Sequence, residues 1–120
     1  MQERRRFIRL TARLEALFAM LPHGQMRPVQ VKDMSASGIR LATDAAVPPG
    51  TELQLSVQLP GRERQINALA EVVWSEPHET VDKTERQRGA ETGARYREIA
   101  PVDRAALEAF VSAALNRLIG

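Results

Sequence analysis

Hydrophobic and polar side chains alternate strictly along the middle of this chain. From Glu52 to Leu59, the residues Leu53, Leu55, Val57 and Leu59 fall on one side and Glu52, Gln54, Ser56 and Gln58 on the other. That period of two predicts a strand with one buried and one wet face. Pro60 and Gly61 supply a turn, and Ile66, Ala68, Ala70, Val72 and Trp74 resume the alternation, so the two runs predict a hairpin. Val29 and Val31 before a polar turn, with Ile39 and Leu41 after it, predict a second hairpin, and Ala94 with Tyr96 a last short strand.

Leu10–Met20 fits two periods at once. Every even position is apolar (Leu10, Ala12, Leu14, Ala16, Phe18, Met20), as in a strand, yet Phe7, Leu10, Leu14, Leu17, Phe18 and Leu21 also fall near helical spacing. Pro22, His23 and Gly24 end the segment as a turn would in either case. From Pro101 the period becomes 3.6, with Val102, Leu107, Phe110, Val111, Ala114, Leu115 and Leu118 in one stripe. Proline at the first helical position and Asp103 in the first turn support a helix there. Short strands followed by one amphipathic helix predict a small barrel or curled sheet covered at one end or side by that helix. Between them, SEPHETVDKTERQRGAET over residues 75–92 carries Val81 as its only large apolar residue. Such a segment buries too little surface to offset its ordering entropy, and a mobile loop is expected.

The length of 120 residues, 43% of them hydrophobic, suits a single domain with its own core. The absence of cysteine excludes disulfides, thiolate nucleophiles and Cys-ligated metals, and fits a reducing cytoplasm. No run approaches the roughly 18 uninterrupted apolar residues of a membrane span, because Arg9, Arg13 and Glu15 interrupt the best candidate. The opening MQERRRFIRL is basic, but no small-residue cleavage site follows it, and no targeting segment is expected.

The net charge of +2 is unevenly spread: residues 1–40 hold eight Arg and Lys against three acids, residues 41–120 nine against twelve. Arg4, Arg5, Arg6 and Arg9 place four guanidinium groups within six residues. Their mutual repulsion is offset by an anion, and arginine pairs bidentately with the O6 and N7 of guanine and stacks on its face. A solvated basic tail is the plainer alternative. The second candidate is Asp33-Met34-Ser35-Ala36-Ser37-Gly38. Asp and Ser bond their own backbone, and Gly permits positive φ, as a hairpin turn requires. The same groups could also meet a nucleotide: a carboxylate accepts from guanine N1 and N2, a hydroxyl donates to phosphate, and Gly admits a ligand. His23 and His78 are isolated and read as surface histidines, not metal ligands. No nucleophile-base arrangement, phosphate-cradling glycine loop or acidic metal cluster is present in the sequence, so no catalytic or metal site is expected. Stacking aromatics and basic stripes are too scarce for DNA or RNA binding.

Taken together, Arg5-x-x-x-Arg9 and Asp33-x-Ser35-x-x-Gly38, with ERRRFIRL, GTELQLSVQLPG, AEVVW and TGARYREI in their order, resemble the PilZ domain. The resemblance implies a mainly β fold: a six-stranded antiparallel β-barrel over residues 10–99 and a C-terminal amphipathic α-helix over 100–120. Residues 1–9 become a flexible arginine-rich arm, and Leu10–Met20 a strand. It implies a receptor, not an enzyme, for the bacterial second messenger cyclic diguanylate (c-di-GMP), with no other cofactor. Arg5 and Arg9 would grip guanine and phosphate, while Asp33, Ser35 and Gly38 form the opposite rim. Trp74 matches a strand-end position where some members carry an aromatic near the ligand; a cap on the barrel core is the alternative. Arg4, before the Arg5 motif, or Arg6 would serve a second, intercalated ligand molecule, making two per chain. Closure of the arm would then alter the surface shown to a downstream protein partner. A PilZ-like adaptor that works without the nucleotide is the alternative function.

Overall fold

The computed structural model describes residues 10–81 and 86–119. Six strands, β1 (Leu10–Met20), β2 (Arg27–Met34), β3 (Gly38–Thr43), β4 (Glu52–Val57), β5 (Ile66–Val81) and β6 (Arg86–Ile99), are followed by one helix, α1 (Pro101–Ile119). Every strand pairing is antiparallel, and the order β1-β2-β3-β6-β5-β4 closes on itself through β1 and β4. The expected fold class is therefore the observed one. Leu10–Met20, open on periodicity alone, is a strand because closure needs it between β2 and β4.

The alternating positions line the barrel. Leu14, Ala16 and Phe18 of β1, Val29 and Val31 of β2, Leu53 and Leu55 of β4, and Val72 of β5 belong to one buried cluster. A barrel of this size has an interior filled by such side chains. Helix α1 adds Ala106, Leu107 and Val111 to the cluster, with Phe110 and Ala114 packed against it. Its buried stripe differs from the expected one at the start, since Val102 is 53% exposed while Ala106 takes the inward place. The first turn is anchored by a polar contact instead: the buried Asp103 carboxylate accepts from the Asn67 backbone N–H at 3.3 Å and faces Arg64 at 3.7 Å. Helix α1 thus docks at the end of the barrel where β5 begins.

Within residues 75–92, expected to form a loop, residues 75–81 and 86–92 instead extend the β5–β6 hairpin. Pairing runs from Ser75 opposite Thr92 to Val81 opposite Arg86, and residues 82–85 lie outside the described residues. Hydrophobic burial is not what holds this extension. At its base the Thr43, Thr92 and Ser75 hydroxyls form a chain of 2.9 and 2.8 Å contacts, and Val47 donates its N–H to Ser75 Oγ at 3.0 Å. Farther out Glu79 pairs with Arg88 across the strands. Ladder hydrogen bonds and cross-strand polar pairs stabilise a strand that leaves no trace in apolar alternation. Pro77 is tolerated because β4 no longer runs beside β5 there, its pairing ending at Glu52 opposite Glu71.

Because Leu107 is fully buried where α1 meets the barrel, Leu107→Ala should lower the unfolding free energy by about 2–5 kcal/mol. Urea denaturation followed by circular dichroism measures this.

Candidate functional site

The turn joining β2 to β3 is built by Ser35. Its backbone N–H donates to the Gly38 carbonyl at 2.9 Å, and its Oγ accepts from the N–H groups of Ser37 and Gly38 at 3.3 and 3.2 Å. Ser35 is 0% exposed, so its hydroxyl braces the turn from within. Gly38 does not have the positive φ expected of it; that conformation occurs at Gly50 and Gly61. Glycine is needed at 38 for a different reason. A Cβ there would stand 2.6 Å from the Ala94 carbonyl oxygen of β6, so the two strands approach too closely for any side chain. Tyr96 also donates its backbone N–H to the Ser37 carbonyl, which ties the turn to β6.

Asp33, at the start of this motif, is only 5% exposed, and its carboxylate meets the Arg40 guanidinium at 2.6 Å. Arg40 also donates to Glu91 at 3.1 Å, and Lys32 donates to the other Glu91 oxygen at 3.3 Å. Arg40 is the residue that the motif alone did not reveal. It lies two positions past Gly38, on the same face of β3, directly opposite Asp33.

Cross-strand pairing carries this face around the wall: Asp33 opposes Arg40, Arg40 opposes Gly93, and Gly93 opposes Trp74. A bulge between Val72 and Trp74 sets the indole in this row. Trp74 is 37% exposed and stands outside the core cluster, so it does not cap the barrel interior. Its ring rests over Gly93. In the next row Arg95, opposite both Gly38 and Glu71, donates to the Glu71 carboxylate at 3.0 Å, joined by Arg97 at 3.2 Å. The Arg95 hydrogen bond, with help from Arg97, holds the Glu71 carboxyl below its usual range. Glu91 is lowered likewise, first by the Lys32 hydrogen bond and then by the charge of Arg40.

Arg4, Arg5, Arg6 and Arg9 lie outside the described residues. The strand that follows them does not. Leu10 pairs with Met34 and Thr11 with Asp33, so the chain enters the barrel beside the Asp33 turn. Asp33, Ser35 and Gly38 are brought together by that turn, and Trp74 stands three strands away on the same row. His23 and His78 are exposed, and the described residues contain no cluster of three His, Cys, Asp or Glu fit to hold a metal ion. No helix among them is long and apolar enough to cross a membrane.

A closed six-stranded antiparallel barrel, a helix docked at one end and an Asp-x-Ser-x-x-Gly turn on the rim define a class of small β-barrel domain. The chain belongs to the PilZ domain family, whose model matches residues 3–113. Among solved structures it is similar to the Bacillus subtilis inhibitor of motility MotI/DgrA, with 26% identity and a TM-score of 0.68 over 94% of this chain and 52% of that one. The chain therefore spans about half the length of that protein. It is also similar to the PilZ domain of YcgR from Escherichia coli, solved with c-di-GMP: 18% identity, TM-score 0.72, covering 96% and 94% of the two chains. MrkH, described as a c-di-GMP-dependent transcription regulatory factor, matches at 17% identity and TM-score 0.66, over 97% of this chain and 51% of that one. No curated protein matches the chain by sequence.

Because the folded-state pKa of Glu91 lies below its ordinary value of 4.5, its ionised form is favoured by folding. That contribution is complete above the ordinary carboxylate range and is lost as pH falls through the lowered value. Glu91→Gln should accordingly weaken the loss of stability between neutral pH and pH values below 4.5, as read from urea midpoints across that range.

Proposed function

We propose that this chain is a bacterial, cytoplasmic receptor for cyclic diguanylate, which signals by binding and conformational change and catalyses no reaction. The observation that supports this most is the entry of β1 beside the Asp33 turn, since Leu10 and Thr11 pair with Met34 and Asp33. The arginine segment immediately precedes that point in the chain. Arg5 and Arg9 grip a guanine edge and a phosphate through charge-assisted, bidentate hydrogen bonds. Asp33 accepts from the guanine N1 and N2 donors, and Ser35 and Gly38 shape the rim from which it does so. Trp74 offers its ring to a base. Arg4 or Arg6 holds a second ligand molecule stacked on the first, so that two bind per chain. Closing the arm on the barrel changes the surface offered to a downstream protein partner, and several charge-assisted bonds of about 1.5–3 kcal/mol each suffice for the population shift.

Calorimetric titration with cyclic diguanylate tests this directly. The wild type should take up two molecules per chain and Arg4→Leu one. Arg9→Ala and Asp33→Ala should each weaken binding at least about tenfold, the order of one charge-assisted contact, with the fold intact. Normal affinity in either variant removes that residue from the site, and a wild-type ratio of one removes the second ligand molecule. A folded chain that takes up no cyclic diguanylate would be an adaptor instead.

A further inference from the structure

We infer that Gly93 is a positioning residue for ligand binding: its missing side chain is the seat that holds the Trp74 indole flat against the barrel wall as a stacking platform. The inference rests on the proposal that this wall receives cyclic diguanylate. A Cβ built at Gly93 would stand 2.3 Å from Trp74 Nε1, 2.4 Å from Cε2 and 2.8 Å from Cζ2. These three indole atoms are the nearest heavy atoms to it, so the ring occupies the space that any side chain would need.

Nothing else at this position asks for glycine. Gly93 is not among the residues with positive φ, which are Gly50 and Gly61. It lies within β6 between cross-strand partners on both sides, where glycine weakens a strand relative to alanine. Gly38 provides the contrast, because there the obstacle is backbone that cannot move. At Gly93 the obstacle is a side chain that would otherwise be free to turn away.

The seat has a directional consequence. With one face of the ring against β6 and the residue 37% exposed, the other face is offered to solvent as a flat π surface. On the adjacent strand, Arg40 opposes Gly93 and is held in place by Asp33 and Glu91. Strands lie about 5 Å apart, so a base stacked on the indole has Arg40 about one strand away and Asp33 about two. Removing the seat would tilt the platform and leave the polar end of the row intact.

The test is a double-mutant cycle of Gly93→Ala and Trp74→Ala, with affinity for cyclic diguanylate measured by calorimetry and folding by thermal melting. Gly93→Ala should weaken binding at least about fivefold, the lower range of one base–aromatic stack, and Trp74→Ala by a similar factor. In the Trp74→Ala background Gly93→Ala should change affinity no further and should melt no lower, since alanine suits a strand better. An unaffected affinity in Gly93→Ala overturns the inference while leaving the ligand assignment standing. A further loss in the double variant also overturns it, because Gly93 would then act independently of the indole. A wild type that binds no cyclic diguanylate overturns both. Should Gly93→Ala alone not fold, the same cycle on Trp74→Phe, whose shorter ring reduces the clash, is decided by the same fivefold criterion.

Discussion

Closure of the sheet through β1 and β4 is the constraint on which the remaining features depend. Once Ala16 opposes Val57 and Phe18 opposes Leu55, every strand has an inside and an outside, and apolar side chains fill the inside. A ring of six strands leaves no internal chamber for a dinucleotide. The proposed recognition therefore falls to the outer wall, where side chains face water and each must be held in position by its neighbours. The same closure sets the register that aligns Asp33, Arg40, Gly93 and Trp74 across four strands.

The wall carries little of the fold's stability. Apart from the one made by the buried Asp33, its ion pairs are half-exposed, and pairs open to solvent contribute at most about 1 kcal/mol each. Their effect is orientation. Arg40 has two carboxylates, Asp33 and Glu91, on its guanidinium, and Glu71 gathers Arg95 and Arg97. Cations fixed this way lose less freedom when an anion arrives, which is the benefit of preorganisation. Acids interleaved with arginines also prevent the wall from becoming a general polyanion trap.

Much of this architecture was legible from the residues. Strict alternation announced β4 and the first half of β5, the change of period announced α1, and the Asp33 motif marked the rim. What escaped did so for identifiable reasons. Leu10–Met20 satisfied both periods, and only its place between two partner strands made it β1. Residues 75–81 and 86–92 are held by ladder hydrogen bonds, hydroxyl contacts and polar cross-strand pairs, which a search for buried apolar positions does not register. Gly38 was expected to serve the geometry of the turn, whereas the close approach of β6 demands it. Arg40 could have been found by continuing the face of the motif two residues past Gly38. The seating of Trp74 on Gly93 joins residues nineteen positions apart through a bulge, and nothing local in the sequence encodes that register. The arginine segment, conspicuous in the sequence, lies outside the described residues.

Trp74 is the chain's sole tryptophan, and it sits on the wall and not in the core. Intrinsic emission excited in the indole band therefore views the protein from outside. It senses solvent access and nearby charge along one row of side chains and is nearly blind to the packing of the barrel interior. A substitution that loosens the core can leave this signal unchanged until global unfolding. One that merely turns the ring off its support would alter the spectrum in a fully folded molecule, so emission and ellipticity are separate observables here.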